Sequence, residues 1–150
     1  MFLFENYMDG SAALKMDDAA VTVELEHIGF ERYEIERAFH WLSGLMEIQA
    51  AVSTDLKITP FSIRHYSLDE TDRLGLEGIG HLFYLEQLGI LDAATREIVI
   101  DRVMALDNRI VDIPRIRWVA LMALFNQPDK KAPLSLLQNM VMADAFNVLH

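Results

Sequence analysis

Cysteine is absent from the whole 150-residue chain. Without a thiol the protein has no disulfide, no thiolate ligand for a metal and no cysteine nucleophile. Those three kinds of chemistry are therefore excluded, and the cytoplasm is the expected compartment.

Long apolar runs are missing as well. The longest one, Trp118–Phe125, has 8 residues, whereas a membrane-spanning helix needs roughly 20. Residues 1–7 lack the basic leader and the long apolar stretch of a signal peptide, so we expect no membrane partner. The hydrophobic fraction is nevertheless high, at 52%. A chain of this length and composition is expected to form one domain over residues 1–150 with a substantial core.

Basic residues are scarce relative to acidic ones. The chain has 13 Lys and Arg against 23 Asp and Glu, a net charge of −10. The imbalance lies in the first half, where residues 1–75 carry 6 basic and 14 acidic side chains. Such a surface repels nucleic-acid phosphates and anionic lipid at long range. It either attracts a basic partner or keeps a hydrophobic protein soluble, and solubility is the more common reason.

Helical periodicity extends over nearly the whole chain, which predicts a mainly all-α domain of six to seven helices. Ser67 with Glu70 forms a capping-box pattern, and Asp92 is a further N-cap candidate. Gly29 is typical of a helix end and Pro114 of a first helical turn. The predicted helices cover residues 2–8, 17–28, 31–51, 67–88, 92–106, 114–126 and 134–146.

The first helices predict a helix–turn–helix subdomain over residues 1–51. Residues 52–60 are predicted to link it to a second subdomain over residues 61–150. Ile63–Tyr66 and Ile110–Ile113 alternate enough to allow one short two-stranded β pair.

Motifs of catalysis are absent from the sequence. The glycines at 75, 78 and 80 match neither dinucleotide nor phosphate-loop patterns, and they favour a helix kink or a close helix approach. The five histidines form neither an H-x-x-x-H nor an H-E-x-x-H pattern. We therefore predict a non-enzymatic protein with no catalytic residues, no cofactor and no metal site.

The first candidate binding site is acidic. Glu31, Glu34 and Glu36 open the second helix of the helix–turn–helix. Because a DNA-reading helix needs positive charge and base-contacting side chains, these residues have the wrong sign for the major groove. They are interpreted as a candidate surface for an unknown protein partner, which makes a protein–protein interaction or regulatory role the leading hypothesis.

The second candidate binding site is basic. Between residues 109 and 131 five basic side chains face two acidic ones, so a nucleic-acid-associated role is the alternative hypothesis, although the net charge of the chain disfavours it. A solvated helix start is the structural alternative. The basic residues of this patch are Arg109, Arg115, Arg117, Lys130 and Lys131.

Two adjacent pairs of opposite charge, Arg96–Glu97 and Asp101–Arg102, lie in the predicted helix over residues 92–106. Neighbours in sequence do not face each other on a helix. We therefore expect these side chains to bind neighbouring helices or helix caps. The oligomeric state does not follow from the sequence.

Several ordered motifs resemble the bacterial Smg family, and the resemblance covers essentially the whole chain. They are L-F-E-N-Y at 3–7, G-F with E-I-x-x-A-x-x-W-L at 29–42, L-E-Q-L-G-I-L at 85–91, R-E-I-V-I-D-R-V-M-A-L-D at 96–107 and W-V-A-L-M-A-L-F-N-Q-P at 118–128. The resemblance implies a bacterial cytosolic protein of a family without an established activity. It carries no catalytic residues over to this chain.

Overall fold

The computed structural model describes residues 19–55, 64–107, 109–125 and 127–149. These residues form six α-helices and one short 3-10 helix, and no strand is assigned among them. Within this described part, no helix is both long enough and apolar enough to span a bilayer. The helices are α1 (Ala19–Ile28), α2 (Arg32–Asp55), α3 (Leu68–Gln87), α4 (Ala93–Met104), α5 (Ile113–Phe125) and α6 (Lys131–Leu149), with the 3-10 helix at Pro128–Lys130 before α6.

A glycine in the left-handed region ends α1. Gly29 has φ +116°, and the backbone N–H groups of Gly29 and Phe30 both donate to the Leu25 carbonyl, at 3.2 and 3.1 Å. These bonds satisfy carbonyls that the helix end would leave unpaired. The chain then reverses into α2 within three residues, so α1 and α2 form a helical hairpin that buries Leu25 and Ile35.

The predicted capping box begins α3. The Glu70 N–H donates to Ser67 Oγ at 3.2 Å, and the Ser67 N–H donates back to a Glu70 carboxylate oxygen at 3.0 Å. Gly75 then kinks the helix with φ +66°. One turn later, a Cβ on Gly78 would lie 3.0 Å from the Cδ1 atom of Ile116 in α5. The glycines therefore provide both a kink and a close approach.

The core is centred on α4 and α5. Asp92 caps α4 by accepting the Thr95 N–H at 2.8 Å. Almost the whole second half of α5 is buried, and α6 covers it with Leu137 and Val141. The fully buried core side chains include Leu82, Leu85, Val99, Val103, Ile116, Ala120 and Leu124.

The predicted β pair is not confirmed. Residues 64–66 and 110–113 are not strands in the described part of the chain, and Ile113 already begins α5. The Val111 N–H donates instead to the Arg73 carbonyl of α3 at 3.0 Å. Arg73 in turn donates to the Met104 and Leu106 carbonyls at 2.5 and 2.7 Å, so a helix rather than a strand satisfies this connection.

Other predicted features differ at their margins. Ile28, Met46 and Leu136 are apolar and lie within the predicted helices 17–28, 31–51 and 134–146, but all three are exposed. The helix α2 continues to Asp55, inside the predicted linker 52–60. The predicted helix at 2–8 lies outside the described residues. The subdomain boundaries stay a prediction, and the hairpin is not confirmed as a separate helix–turn–helix subdomain.

Candidate functional site: a cleft beside the first helical hairpin

A cleft of about 870 Å³ opens to solvent beside the first helical hairpin. The hairpin α1–α2 forms one wall, and the end of α4 with one side of α5 forms the other. Binding sites for ligands and peptide side chains commonly have volumes in this range. Its principal side chains are Leu25, Phe30, Tyr33, Glu34, Arg37, Trp41, Glu47, Arg102, Asp107, Arg115, Val119 and Met122.

Aromatic rings lie at the mouth and in the wall of this cleft. Phe30 and Tyr33 are exposed, and 53% of Tyr33 is accessible to solvent. The Arg37 guanidinium lies 5.8 Å from the centre of the Tyr33 ring and forms an ion pair with Asp107. Aromatic side chains that are partly exposed beside a concavity are the usual anchors of protein recognition.

A reciprocal contact between Trp41 and Arg102 fixes the cleft wall. The Trp41 Nε1–H donates to the Arg102 carbonyl at 2.9 Å, and the Arg102 guanidinium donates to the Trp41 carbonyl at 3.0 Å. Gly44 lets this guanidinium cross α2, since a Cβ there would overlap it. Arg102 also pairs with Asp101, its neighbour in α4, at 2.7 Å. The two bonds between Trp41 and Arg102 are partly buried, and they join α2 to α4.

The three acidic candidates do not share one face. Glu34 lines the cleft and accepts the Glu31 N–H at 3.0 Å, which caps the start of α2. Glu36 is turned about 200° from Glu34 around the helix and pairs with Arg32 at 3.4 Å on the exposed side. Glu34 therefore belongs to the cleft, whereas Glu31 and Glu36 are not among the residues that line it.

Among the five basic candidates, Arg117 and Lys130 form ion pairs with other described residues. Arg117 forms an ion pair with Asp144 of α6 at 2.6 Å, and its Nε–H donates to His81 at 3.1 Å. Lys130 pairs with the helix-capping Asp92 at 2.6 Å. These contacts tie α6 and the 3-10 helix to the rest of the fold.

The other three basic candidates, Arg109, Arg115 and Lys131, are exposed. Arg115 lies at the cleft, and its backbone N–H donates to the Asp112 carboxylate at 3.1 Å. Trp118, the neighbour of this patch, is partly buried and packs against the hydrophobic core. The structure thus does not gather the five basic residues into one exposed patch.

Five charged side chains form a network that the sequence pattern did not predict: Arg64, Glu70, Glu86, Arg96 and Glu97. Arg64 contacts Glu70 at 2.8 Å and Glu97 at 2.6 Å, and Arg96 contacts Glu97 and Glu86, each at 3.1 Å. The expectation that the adjacent residues Arg96 and Glu97 would not pair with each other was wrong, because the long Arg96 side chain reaches Glu97, which Arg64 also contacts. The adjacent residues Asp101 and Arg102 pair in the same way. The expectation of inter-helix bonding was right for Arg96 with Glu86.

The pKa values of Glu70 and Tyr66 are shifted at this network. Hydrogen bonds from Arg64, together with those from Ser67, lower the pKa of Glu70 to about 2. Burial raises the pKa of Tyr66, whose ring lies 4.6 Å below the Arg64 guanidinium. Because Arg96 is almost fully buried, the carboxylates around it compensate a charge that would otherwise be costly to bury. The network is therefore a structural element that joins α3, α4 and the segment before α3.

A second polar cluster, formed by His81, Arg117 and Asp144, joins α3, α5 and α6. His81 of α3 is buried, accepts from Arg117 of α5 and lies 5.9 Å from the Tyr84 ring. Burial and the nearby Arg117 lower the pKa of His81. Since the acceptor nitrogen must carry no proton, His81 is neutral in this arrangement. No group of three or more His, Asp or Glu in the described part of the chain is placed to hold a metal ion.

The chain belongs to a family of proteins of unknown function, DUF494, whose family model matches residues 1–150. Its curated relatives carry the name Protein Smg homolog. The chain is 39% identical to the one from Nitrosococcus oceani over 150 residues, which are all of this chain and 94% of the relative. It is 38% identical to the one from Shewanella piezotolerans and 39% identical to the one from Idiomarina loihiensis, with all of this chain and 96% and 97% of those relatives covered. The resemblance to the Smg family is thereby confirmed. No solved structure matches the chain.

Proposed function

We propose that the protein is a non-enzymatic, cytoplasmic regulatory protein that binds another protein through the cleft beside α1 and α2. The proposed occupant is an amphipathic helix with a basic outer face. The observation that carries this proposal is a cleft of about 870 Å³ with Phe30 and Tyr33 exposed at its mouth. A groove of this kind accepts the apolar face of a helix, whose side chains at spacings of three and four residues fill it.

The charge of the hairpin supports a basic occupant. Residues 19–55 contain seven acidic side chains and two basic ones. Of the arginines that line the cleft, Arg37 is neutralised by Asp107 and Arg102 by the adjacent Asp101, while Arg115 contributes one positive charge. The carboxylates of Glu34 and Glu47 then contribute negative charge along α2, and complementary charge increases the rate and the selectivity of association.

The proposal is tested with a synthetic helical peptide of about 20 residues, leucine on one face and lysine on the other. Binding of the fluorescently labelled peptide to the full chain is measured by anisotropy at about 50 mM and 0.5 M salt. We expect binding that weakens at high salt. Glu47→Lys and Tyr33→Ala should each weaken it about 10-fold, because the first reverses a cleft charge and the second removes an aromatic anchor.

The matched control is Glu77→Lys, at an exposed position of α3. It changes the net charge as much as Glu47→Lys does, and we expect it to change peptide binding less than about 2-fold. Equal effects of the two reversals would show that the peptide responds to net charge alone and would overturn the proposal, as would no binding at about 50 mM salt.

The nucleic-acid alternative has its own outcome in this test. Labelled single-stranded DNA and RNA are titrated in the same way, with Arg109, Arg115 and Lys131 neutralised in a triple variant. Binding that is stronger than that of the basic peptide and is lost in this variant would replace the proposed function by the nucleic-acid one.

A further inference from the structure

The outer face of α6 is exposed and largely apolar, and it carries no charged residue after Lys131. Leu136, Met142 and Phe146 are 53%, 63% and 62% exposed. Leu136, Asn139, Ala143 and Phe146 follow one another at spacings of three and four residues, the spacing of the contact positions in paired helices. The opposite face of the same helix carries the buried Leu137 and Val141. The exposed stripe is therefore a second apolar face, on a helix that already contributes to the core.

This helix differs electrically from the rest of the molecule. Asp144 is the only ionisable side chain between residues 132 and 149, and Arg117 neutralises it across a distance of 2.6 Å. The net charge of −10 therefore lies on other parts of the chain. A basic partner would gain little from a neutral face, whereas two acidic copies of this chain can meet here with the least repulsion between them.

Polar and small residues make the stripe suitable for a second copy. Asn139 lies within the apolar seam, where a single asparagine fixes the register of paired helices at a cost in affinity. Ala143 allows a close approach between two helix backbones. Gln138 and Asn147 lie at the margins and are exposed, as in the polar rim of a protein interface.

We propose that two copies of the protein associate through this face of α6. The interface is isologous, so the same residues contribute from each copy. One helix face is small by the standards of stable interfaces, and we expect a dissociation constant in the range of about 1–100 µM. This surface is separate from the residues that line the cleft, so the proposal does not depend on the proposed function.

The test is sedimentation velocity of the full chain over a concentration series at low and high salt. We expect a transition from the monomer of 17.2 kDa to a species of twice that mass. Dimerisation should be tighter at about 0.5 M than at about 50 mM salt, because salt screens the repulsion between two acidic copies. Met142→Glu should weaken it at least about 10-fold, since it places two like charges at the contact.

The control is Leu76→Glu, which adds the same charge at a residue of α3 that is 85% exposed. It should leave the dissociation constant within about 2-fold of the wild-type value, because a charge far from the contact changes the repulsion between two copies only slightly. The helical circular dichroism of both variants must match that of the wild type. If the spectrum of Met142→Glu differs from it, Leu136→Glu serves as the second interface variant. A wild-type chain that stays monomeric to about 500 µM at high salt would overturn the proposal. So would a dimer that both glutamate variants at α6 leave intact.

Discussion

Replacing Glu70 by glutamine tests whether the charge network at the start of α3 stabilises the fold. Glu70 accepts two hydrogen bonds from Arg64, at 2.8 and 2.9 Å, and one from the Ser67 N–H at 3.0 Å. These contacts lower its pKa from 4.5 to about 2. Glutamine keeps the size and the acceptor oxygen of the side chain but removes the charge, so the comparison isolates the electrostatic contribution.

The magnitude follows from the lowered pKa. A difference of about 2.5 between the unfolded and folded pKa corresponds to at most about 3 kcal/mol. Because the carboxylate is partly exposed, at 18% of its side-chain area, solvent screening reduces this to about 1–2 kcal/mol. Since the folded pKa is depressed, the stabilisation is present above pH 4.5 and is lost as the pH falls through the folded pKa of about 2.

The assay is urea unfolding followed by circular dichroism, for wild type and Glu70→Gln, at several pH values between 7 and 2. We expect the variant to be less stable by about 1–2 kcal/mol at pH 7. The difference should shrink as the pH falls below 4.5. Glu77→Gln, on the exposed side of the same helix, is the control for loss of a carboxylate. Equal stability of wild type and Glu70→Gln at neutral pH, or a difference that persists unchanged at pH 2, would refute the reasoning.

Two further predictions concern α3. Because burial and Arg117 lower the pKa of His81 below 6.5, the unfolded chain takes up the proton first as the pH falls. Wild type should therefore lose thermal stability below pH 6.5, and His81→Gln should reduce that loss relative to wild type in melts between pH 7.5 and 5. Gly80→Ala should stabilise the protein by about 0.5–1 kcal/mol, since its Cβ would meet open space in a helix interior. Gly78→Ala should gain less or destabilise, because its Cβ would lie 3.0 Å from Ile116; an equal gain at both positions in chemical unfolding would contradict this packing.

Local features of the fold were predictable from the sequence because they depend on residues close together in the chain. The capping box of Ser67 and Glu70, the cap at Asp92 and the end of α1 at Gly29 all form between residues three or four apart. The all-α class followed from periodicity in the same way. The β pair is not confirmed, because its alternation is short and a contact with Arg73, more than 30 residues away, satisfies that connection instead.

The candidate site was less predictable. Of the acidic residues, Glu34 lies at the cleft, but Glu36 points away from it because two residues differ by about 200° around a helix. Of the basic residues, Arg117 and Lys130 are bonded to Asp144 and Asp92, partners 27 and 38 residues distant. Sequence spacing predicts the face of one helix, but it does not specify which side chain of another helix will be opposite.

The sequence by itself therefore determined the helices, their caps, the net charge and the family of this protein. Tertiary structure alone decided which charges are neutralised and where the aromatic residues meet a concavity. The reciprocal bonds of Trp41 and Arg102, 61 residues apart, show the reason. Helix formation is governed by local hydrogen bonds, whereas a cleft and an ion-pair network arise only when packing brings distant helices together.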